Sequence, residues 1–358
     1  MHLWVDLSIP QLLKMKKITI LVPAYNEGAN IPVFVREIHK LLEKPQTVAP
    51  ALADRSAPCS STDAHCENEA RGTFDFNPEK FEWELLFVND GSTDDTLREL
   101  RKLRRADNRI NILNLSRNFG KENAMLAGLD YAKGDAVIIM DADLQDPVSL
   151  VPVLIHYWIE GYDDVYGRRN ERGQESWLRK CLSLTFYKIL RSCTRIEILP
   201  NVGDFRLLDR RVVNAICNLR ETQRYTKGLF CWVGYDKKEV VFDRDDRKKG
   251  KSSFNFKRLT DLAIEGITSF TTAPLRFASV SGFILSFVSI IYLIYVFIKT
   301  LIYGDPVQGF PTLLCVILLL GGFQLIVLGI IGEYIGRIFN ETKQRPPYIV
   351  ESYNEERL

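Results

Sequence analysis

The sequence lacks an excess of charge of either sign. Its 47 basic and 45 acidic residues leave a formal net charge of +2 over 358 residues. Nucleic-acid binding normally requires a broad positive field, and this near balance excludes one, so any basic site must be local. We therefore expect no nucleic-acid partner.

Histidine and cysteine are scarce, with four and seven residues. Cys59, His65 and Cys66 lie near one another, but in a polar stretch with no second ligand pair, which does not indicate a zinc site. Residues 1–17 have no uninterrupted apolar core followed by a small-residue cleavage site, so we predict no cleavable signal peptide. Most of the cysteines are then expected in the cytoplasm as reduced thiols.

Glycine and proline are not enriched, at 22 and 15 residues, and 46% of the chain is hydrophobic against 26% charged. This composition excludes collagen and full disorder and is typical of a chain that buries a core. The length leaves room for about two folding units, at roughly 150 residues per domain. Before Arg276 the sequence is typical of a soluble domain, and after it the pattern changes.

Two long apolar runs follow Arg276. Residues 277–298 carry no charge and residues 311–332 are mostly apolar, and about 20 helical residues suffice to cross ~30 Å of hydrocarbon. Buried helices of a soluble protein are the alternative, but they seldom run this long without a charge. We predict two transmembrane helices. Lys and Arg are concentrated before the first and after the second, which predicts a multi-pass plasma-membrane protein with cytoplasmic termini and a cytoplasmic catalytic domain.

The second apolar run contains several glycines. Small residues in a membrane helix let a neighbouring helix approach closely, and so a homo-oligomer is compatible with this sequence. The glycines are Gly321, Gly322, Gly329 and Gly332.

Upstream, apolar runs alternate with amphipathic stretches. Strands are predicted at 18–22, 84–88, 110–115 and 136–140, and helices at 31–42, 93–105, 122–132 and 147–159. Runs that are apolar throughout indicate strands buried on both faces, as in a mostly parallel sheet covered by helices. The fold class is therefore α/β.

Three segments fall outside this alternation. Residues 44–80 form a predicted surface insertion, for which partner binding is an alternative, and residues 1–15 have no clear place in the fold. Apolar residues between 256 and 270 recur at helical spacing just before the first membrane run. This pattern fits an amphipathic juxtamembrane helix on the bilayer, or a helix packed on the globular domain.

The predicted organisation follows from these boundaries. It comprises an N-terminal extension (1–15), a catalytic domain (16–245), a basic loop with the juxtamembrane helix (246–275), the two membrane helices (276–340) and a cytoplasmic tail (341–358).

Polar clusters follow the predicted strands where ligands bind in such sheets, beyond the carboxyl ends. Asp141 and Asp143 come directly after the fourth strand, and adjacent carboxylates are tolerated mainly when a cation neutralises them. A hard divalent ion completed by substrate phosphates would do so, although a lone D-x-D pair can also be structural. Further polar loops follow the first and second strands and carry Glu27 and Asp90, which favours the metal–diphosphate interpretation.

Several motifs in this order resemble family 2 glycosyltransferases with the GT-A fold. They are Val22-Pro23-Ala24-Tyr25-Asn26-Glu27, Val88-Asn89-Asp90-Gly91-Ser92-Thr93-Asp94, Asn114-Leu115-Ser116-Arg117-Asn118-Phe119-Gly120-Lys121 and Asp141-Ala142-Asp143-Leu144-Gln145-Asp146-Pro147. Gly203-Asp204-Phe205-Arg206-Leu207 and the two membrane runs are most similar to the polyprenyl-phosphate glycosyltransferases of the bactoprenol glucosyltransferase (GtrB-like) group. The resemblance spans roughly residues 16–340.

The resemblance implies a UDP-sugar donor and an Mg²⁺ or Mn²⁺ cofactor. Donor binding is implied for Pro23, Tyr25, Glu27, Asp90, Lys121 and Asp141. The metal would be held by Asp143 with Gln145 and Asp141, and it would stabilise the departing UDP. Asp204 is the candidate base, although a lipid phosphate, with a second pKa of about 6, is already largely ionised at neutral pH.

The implied acceptor is a polyprenyl phosphate, which requires cations. Residues expected to contact the acceptor or the diphosphate are Arg169, Arg172, Arg179, Ser183, Arg206, Arg247 and Lys251. Guanidinium groups match phosphate oxygens bidentately, but the basic run at 247–251 could instead be a solvated face. The segment 223–228 either borders the acceptor or starts an ordinary helix.

The function expected from the resemblance is inverting transfer of a sugar, glucose being the family-based choice, to undecaprenyl phosphate at the cytoplasmic face. A processive polysaccharide synthase is the first alternative, but the Gln-x-x-Arg-Trp signature is missing around Gln223. A non-catalytic nucleotide-sensing membrane scaffold is the second, and the intact metal acids argue against it.

Overall fold

The computed structural model describes residues 15–48, 73–169, 202–222, 224–242, 273–303 and 309–357. Several predicted features lie outside these residues. They are the N-terminal extension to residue 14, the centre of the predicted insertion, the basic loop with the juxtamembrane helix, and the site candidates Arg172, Arg179, Ser183, Arg247 and Lys251.

Strands and helices alternate along the described chain. In order, they are β1 (Lys16–Ala24), α1 (Ile31–Glu43), β2 (Gln46–Val48), β3 (Phe74–Phe76), β4 (Phe81–Asn89), α2 (Thr96–Ala106), β5 (Ile110–Leu115), α3 (Lys121–Tyr131), β6 (Ala136–Ile139), α4 (Val151–Ile159), β7 (Asp164–Arg169), β8 (Val202–Asp209), α5 (Arg210–Asn218), α6 (Thr226–Trp232), β9 (Lys237–Phe242), α7 (Ala273–Tyr303), α8 (Phe310–Thr342), β10 (Val350–Tyr353) and β11 (Glu356–Arg357). The α/β prediction is confirmed.

The four predicted strands form the parallel centre of the sheet, in the order β5-β4-β1-β6. Their side chains alternate between two apolar layers because successive residues of a strand point to opposite faces. In β1, Ile20 and Val22 pack into the layer that includes α1 and α4, whereas Leu21 packs into the layer that includes α3 and α5. Helices therefore cover both faces, which explains why these strands are apolar throughout.

The sheet as a whole is mixed, which corrects the prediction of a mostly parallel one. The nine strands have the order β11-β10-β5-β4-β1-β6-β8-β7-β9. Strand β8 runs antiparallel to both β6 and β7, and β10 runs antiparallel to β5. Apolar periodicity indicates whether a strand is buried, but not the direction of its neighbour.

The two ends of the predicted insertion belong to the folded domain. Strands β2 and β3 pair antiparallel, with Gln46 opposite Phe76 and Val48 opposite Phe74. Phe76 is buried and packs in the core layer with α1. Residues 46–48 and 74–80 are therefore ordered parts of the domain.

Helices α7 and α8 form a pair of long apolar helices in the C-terminal part of the chain, 31 and 33 residues in length. By length and composition, one helical segment of the described residues, Leu319–Thr342, could cross a membrane. The prediction of two transmembrane helices is therefore not confirmed. Both helices nevertheless carry large apolar side chains on their surface, including Phe283 and Leu328.

The tail beyond α8 returns to the domain. Strand β10 pairs with β5 and so extends the sheet at that edge. At the end of α8, Glu341 accepts a hydrogen bond from the backbone N–H of Thr222 (2.8 Å), and in the tail the Tyr348 hydroxyl donates to Asp130 (2.5 Å). The segment after the apolar helices is thus fixed to the α/β domain.

Candidate active site

A cavity of about 270 Å³ opens at the carboxyl edge of the parallel strands. Loops after β1, β4, β5 and β6 form its walls because parallel strands end at the same edge of a sheet. The lining residues are Pro23, Ala24, Tyr25, Glu27, Asp90, Asn118, Gly120, Lys121, Ala124, Asp141, Ala142 and Asp143. The structure therefore brings together every predicted donor-binding residue.

The loop after β1 is fixed to the loop after β4. Asn26 has a positive φ of 56°, a conformation that asparagine tolerates better than most residues. Its backbone N–H donates to the Ser92 hydroxyl (3.0 Å), and its side-chain carbonyl accepts from the Thr93 N–H (2.9 Å). These bonds hold Tyr25 and Glu27 on the cavity wall.

Asp90 fixes the next loop along the sheet. Its carboxylate is buried and accepts hydrogen bonds from the backbone N–H groups of Phe119 (2.7 Å) and Gly120 (2.9 Å). The neighbouring Gly91 has φ +63°, and a Cβ there would lie 2.4 Å from the carbonyl carbon of Arg117. Only glycine permits this approach, so the Asp90-Gly91 pair sets the position of the loop that precedes Lys121.

Lys121 lies between two carboxylates that are distant in sequence. Its Nζ is 2.7 Å from Oδ1 of Asp141, at the end of β6, and 2.7 Å from Oδ2 of Asp204, in β8. Burial opposes the charged ammonium, but the two carboxylates outweigh it and raise the pKa of Lys121. The antiparallel placement of β8 beside β6 produces this cluster.

Asp204 is held in its ionised form. Burial would raise the pKa of this carboxyl, but the nearby ammonium groups of Lys121 and Lys227 outweigh burial and lower it. Among the described residues, no donor bonds its second oxygen, Oδ1. A group with a lowered pKa is a weak base but a good fixed negative charge, so the geometry suits orientation better than proton removal.

Glu27 faces the acids of the loop after β6. Burial is the main cause of its raised pKa, and the negative charges of Asp143 and Asp141 add to the shift, whereas a hydrogen bond from Asn30 opposes it. Asp143 accepts from the backbone N–H of Gln145 (3.1 Å). Acidic side chains therefore outnumber basic ones among the residues that line the cavity.

The carboxylates at this edge provide only part of the coordination that a divalent ion needs. Asp141 and Asp143 supply hard oxygen ligands on the cavity wall, as Mg²⁺ and Mn²⁺ prefer, and Mg²⁺ usually takes one or two protein carboxylates plus phosphates and water. No group of three or more His, Cys, Asp or Glu side chains arranged to hold a metal occurs among the described residues. The residues therefore fit an ion completed by a substrate diphosphate.

Arg206 and Arg169 occupy different environments. Arg206 is buried, bonds Asp164 (3.0 Å) and stacks 3.8 Å from the ring centroid of Phe230, so it is occupied within the core. Arg169 ends β7 with its guanidinium 3.6 Å from Asp146. The structure thus places Arg206 away from the open cavity and Arg169 near the loop after β6.

Glu122 is a residue that sequence patterns missed. Its carboxylate accepts from the backbone N–H of Thr226 (3.1 Å) at the start of α6, which also carries Lys227. Burial raises the pKa of Glu122, and the charge of Asp204 adds to the shift. An acid in the first turn of a helix is unremarkable in a sequence, and no local signal reveals a contact about a hundred residues away.

The α/β fold, with its cavity at the carboxyl edge of the sheet, agrees with what the comparisons with known proteins show, which is a glycosyltransferase. The family model for glycosyl transferase family 2 matches residues 70–217, and the model for the GtrB C-terminal hairpin matches residues 273–338.

Several relatives are similar over most of their length. A putative glycosyltransferase, CsbB, of Bacillus subtilis is 40% identical over 96% of this chain and 93% of its own. A bactoprenol glucosyl transferase of Shigella phage SfV is 40% identical over 94% and 98%. An uncharacterized glycosyltransferase, sll0501, of Synechocystis is 48% identical over 76% and 86%. The chain belongs to glycosyltransferase family 2, in the group with the GtrB C-terminal hairpin, and it is a glycosyltransferase.

Solved structures are more distant. Glucosyl-3-phosphoglycerate synthase from Mycobacterium tuberculosis, in complex with Mn²⁺ and UDP-glucose, is 17% identical and has a TM-score of 0.40 over 69% of this chain and 75% of its own. A likeness at this level carries no conclusion about ligand or reaction.

Proposed function

We propose that this protein transfers glucose from UDP-glucose to a polyprenyl phosphate, with inversion at the anomeric carbon and with Mg²⁺ or Mn²⁺ as cofactor. The observation that carries the proposal is the Asp141–Lys121–Asp204 cluster at the carboxyl edge of the sheet, in a chain that continues into two long apolar helices. The phage relative named bactoprenol glucosyl transferase supports the choice of sugar and of lipid.

The cavity walls suggest how the donor is held. Tyr25 is exposed at the cavity, where its ring is available to stack on a base, and Pro23 and Glu27 complete that wall. Asp90 would contact the uracil or ribose, and Asp141 the nucleotide side. The loop that Asp90 fixes would then act as a rigid support for the nucleotide.

Asp143, with Gln145, would hold the ion against the diphosphate. A bound divalent ion supplies charge stabilisation to the departing UDP. Lys121 is suited to the same task, because it lines the cavity and its Nζ lies 2.7 Å from Asp141. Its position lets it neutralise phosphate oxygens without any change of backbone.

Asp204 would orient the acceptor or take a residual proton. A phosphate monoester is already largely ionised at neutral pH, so a strong base is not required. Attack from the face opposite UDP converts an α-linked donor into a β-linked lipid-phosphate sugar. Arg169 is the described candidate for the acceptor phosphate, and Arg172, Arg179 and Ser183 remain predictions outside the described residues.

The acceptor is a membrane lipid, so the domain must lie at a bilayer. We propose that α7 and α8 both span it, in a multi-pass arrangement with the α/β domain on the cytoplasmic side of the plasma membrane. The exposed apolar side chains of both helices and the Lys and Arg that flank them support this orientation.

The test uses purified full-length protein, labelled UDP-glucose, undecaprenyl phosphate and Mn²⁺. A lipid carrying a single glucose is the expected product, and its β linkage would be read by NMR. A polymer would indicate a processive synthase, and no product with any of the UDP-, GDP- or dTDP-sugars would indicate a non-catalytic protein; either result overturns the proposal.

A further inference from the structure

The tail strand β10 has a bulge at Glu351. Val350 pairs with Leu115 and Ser352 with Asn114, so the tail has one more residue than β5 at this point. A bulge redirects the side chains of its strand. Here the carboxylate of Glu351 accepts a hydrogen bond from the side-chain nitrogen of Asn114, at 2.6 Å.

From Asn114 a chain of hydrogen bonds continues to the candidate active site. Asn114 and Asn89 are cross-strand neighbours, both buried, and the Asn89 nitrogen donates to the Asn114 carbonyl oxygen at 2.6 Å. The Asn89 carbonyl oxygen accepts from the backbone N–H of Ser92 (3.3 Å), whose hydroxyl accepts from the N–H of Asn26 (3.0 Å). These hydrogen bonds thus connect the tail to the loops after β1 and β4, which line the proposed nucleotide pocket.

Both ends of this series of hydrogen bonds require the same direction, because Glu351 accepts at the tail and the backbone N–H of Ser92 donates at the loop. An ionised carboxylate can only accept, so Glu351 obliges Asn114 to present its nitrogen to the tail and its oxygen to Asn89. Asn89 must then present its own oxygen to the N–H of Ser92. A hydrogen-bond donor at position 351 would favour the opposite orientation of the Asn114 and Asn89 side-chain amides. The Asn89 nitrogen would then face the backbone N–H of Ser92, and two donors would oppose each other.

We propose that Glu351 is a positioning residue for the nucleotide pocket, acting through Asn114 and Asn89 on the loop at Ser92. Its position follows closely on α8, and Tyr348 fixes the intervening segment to the domain through Asp130. The chain segment that leaves the apolar helices therefore sets the shape of the donor site. Only the identity of the ligand in that site rests on the function proposed above.

The first test measures the loop without any ligand. Hydrogen–deuterium exchange is followed in a peptide covering residues 87–95 of the full-length protein. Glu351→Lys should speed exchange at Ser92 about 2- to 10-fold, the range expected for one hydrogen bond. Glu351→Gln keeps an acceptor and should match the wild type. Glu356→Lys, an equal charge change at an exposed tail position, is the control and should also match.

A rescue variant separates amide direction from general damage to the tail. In Glu351→Lys/Asn114→Asp, the lysine donates to a carboxylate whose other oxygen still accepts from Asn89. Protection of Ser92 should therefore return towards the wild-type value. The proposal would be overturned if exchange at Ser92 were unchanged in Glu351→Lys, or if it were equally fast in Glu356→Lys. It would also be overturned if the double variant protected Ser92 no better than Glu351→Lys does.

UDP affinity is the second readout. Glu351→Lys should weaken UDP binding by a similar factor of about 2 to 10, with recovery in the double variant. Wild-type protein that fails to bind UDP, but shows the predicted exchange pattern, would count against the proposed function and support the positioning role. Normal UDP affinity in Glu351→Lys despite faster exchange would overturn the role in the pocket.

Discussion

The α/β domain and the apolar helices place the same kinds of side chain in opposite environments. Phe87 in β4 is 0% exposed and packs between sheet and helices, whereas Phe283 in α7 is 75% exposed. Exposed apolar side chains on a long helix are typical of an interaction surface, which agrees with the membrane position proposed above. The domain buries its apolar residues in its own core, whereas both helices leave large apolar side chains on their surface.

Charge is divided in the same way. The domain collects Glu27, Asp141, Asp143 and Asp204 around Lys121 at one edge of its sheet. In the apolar runs of α7 and α8, charges are confined to the ends. The candidate site therefore lies in the domain, and none of the described residues that line its cavity comes from the two helices.

The largest expected contrast is between two phenylalanine truncations. Phe87→Ala should cost about 3–5 kcal/mol of domain stability, because it leaves a cavity in a packed core. Phe283→Ala should leave the stability of the domain unchanged. Denaturant unfolding of the detergent-solubilised protein, followed by near-UV circular dichroism, measures both. Similar losses in the two variants would remove the distinction between the regions.

Asp143→Asn should separate chemistry from folding. We expect turnover to fall about 10²- to 10³-fold, as when a group that stabilises developing charge is removed. Thermal stability and recovery in the membrane fraction should stay at wild-type values. Asp95→Asn, at an exposed position directly before α2, is the control and should retain activity. A loss of stability that matches the loss of turnover would make Asp143 structural.

Asp204→Asn probes the acceptor side of the cluster. The rate of transfer should fall about 10- to 100-fold, the range for a charge-assisted hydrogen bond of about 1.5–3 kcal/mol, while UDP affinity stays intact. Equilibrium binding and single-turnover rates of the same preparation measure the two quantities. Equal loss of both would show that Asp204 serves only to hold Lys121.

The smallest expected effect concerns Glu27. Its pKa is raised in the folded protein, so its ionised form is destabilising at neutral pH, and this penalty disappears as pH falls through the raised pKa. Glu27→Gln should therefore raise Tm by about 1–2 °C at pH 7 and by less near pH 4.5. A larger increase in Tm near pH 4.5 than at pH 7 would show that burial and the neighbouring acids do not destabilise ionised Glu27.

The parallel centre of the fold was predictable because its signals are local. Each of its strands is an apolar run followed by a polar loop, and the rule that such loops meet at one edge brought Asp90, Asp141 and Asp143 together. The joint cavity of these residues with Tyr25 and Glu27 follows from the same rule.

The antiparallel strands were not predictable in this way. Asp204 reaches Lys121 only because β8 inserts beside β6, and nothing in the pattern of β8 indicates its neighbour. The burial of Arg206 depends on Asp164, 42 residues away. The tail strand Val350–Tyr353 is too short and too polar to be recognised from its own residues, and its pairing with β5 joins segments far apart in the sequence.

The proposed reaction depends on the acids at the sheet edge, which would hold a nucleotide sugar through a divalent ion. Calorimetric titration of UDP-glucose into the full-length protein, in Mn²⁺ and in EDTA, tests it most directly. We expect at least about tenfold tighter binding with Mn²⁺, a difference of about 1.4 kcal/mol, and no ion dependence in Asp143→Asn. Equal wild-type affinity in Mn²⁺ and in EDTA would contradict it.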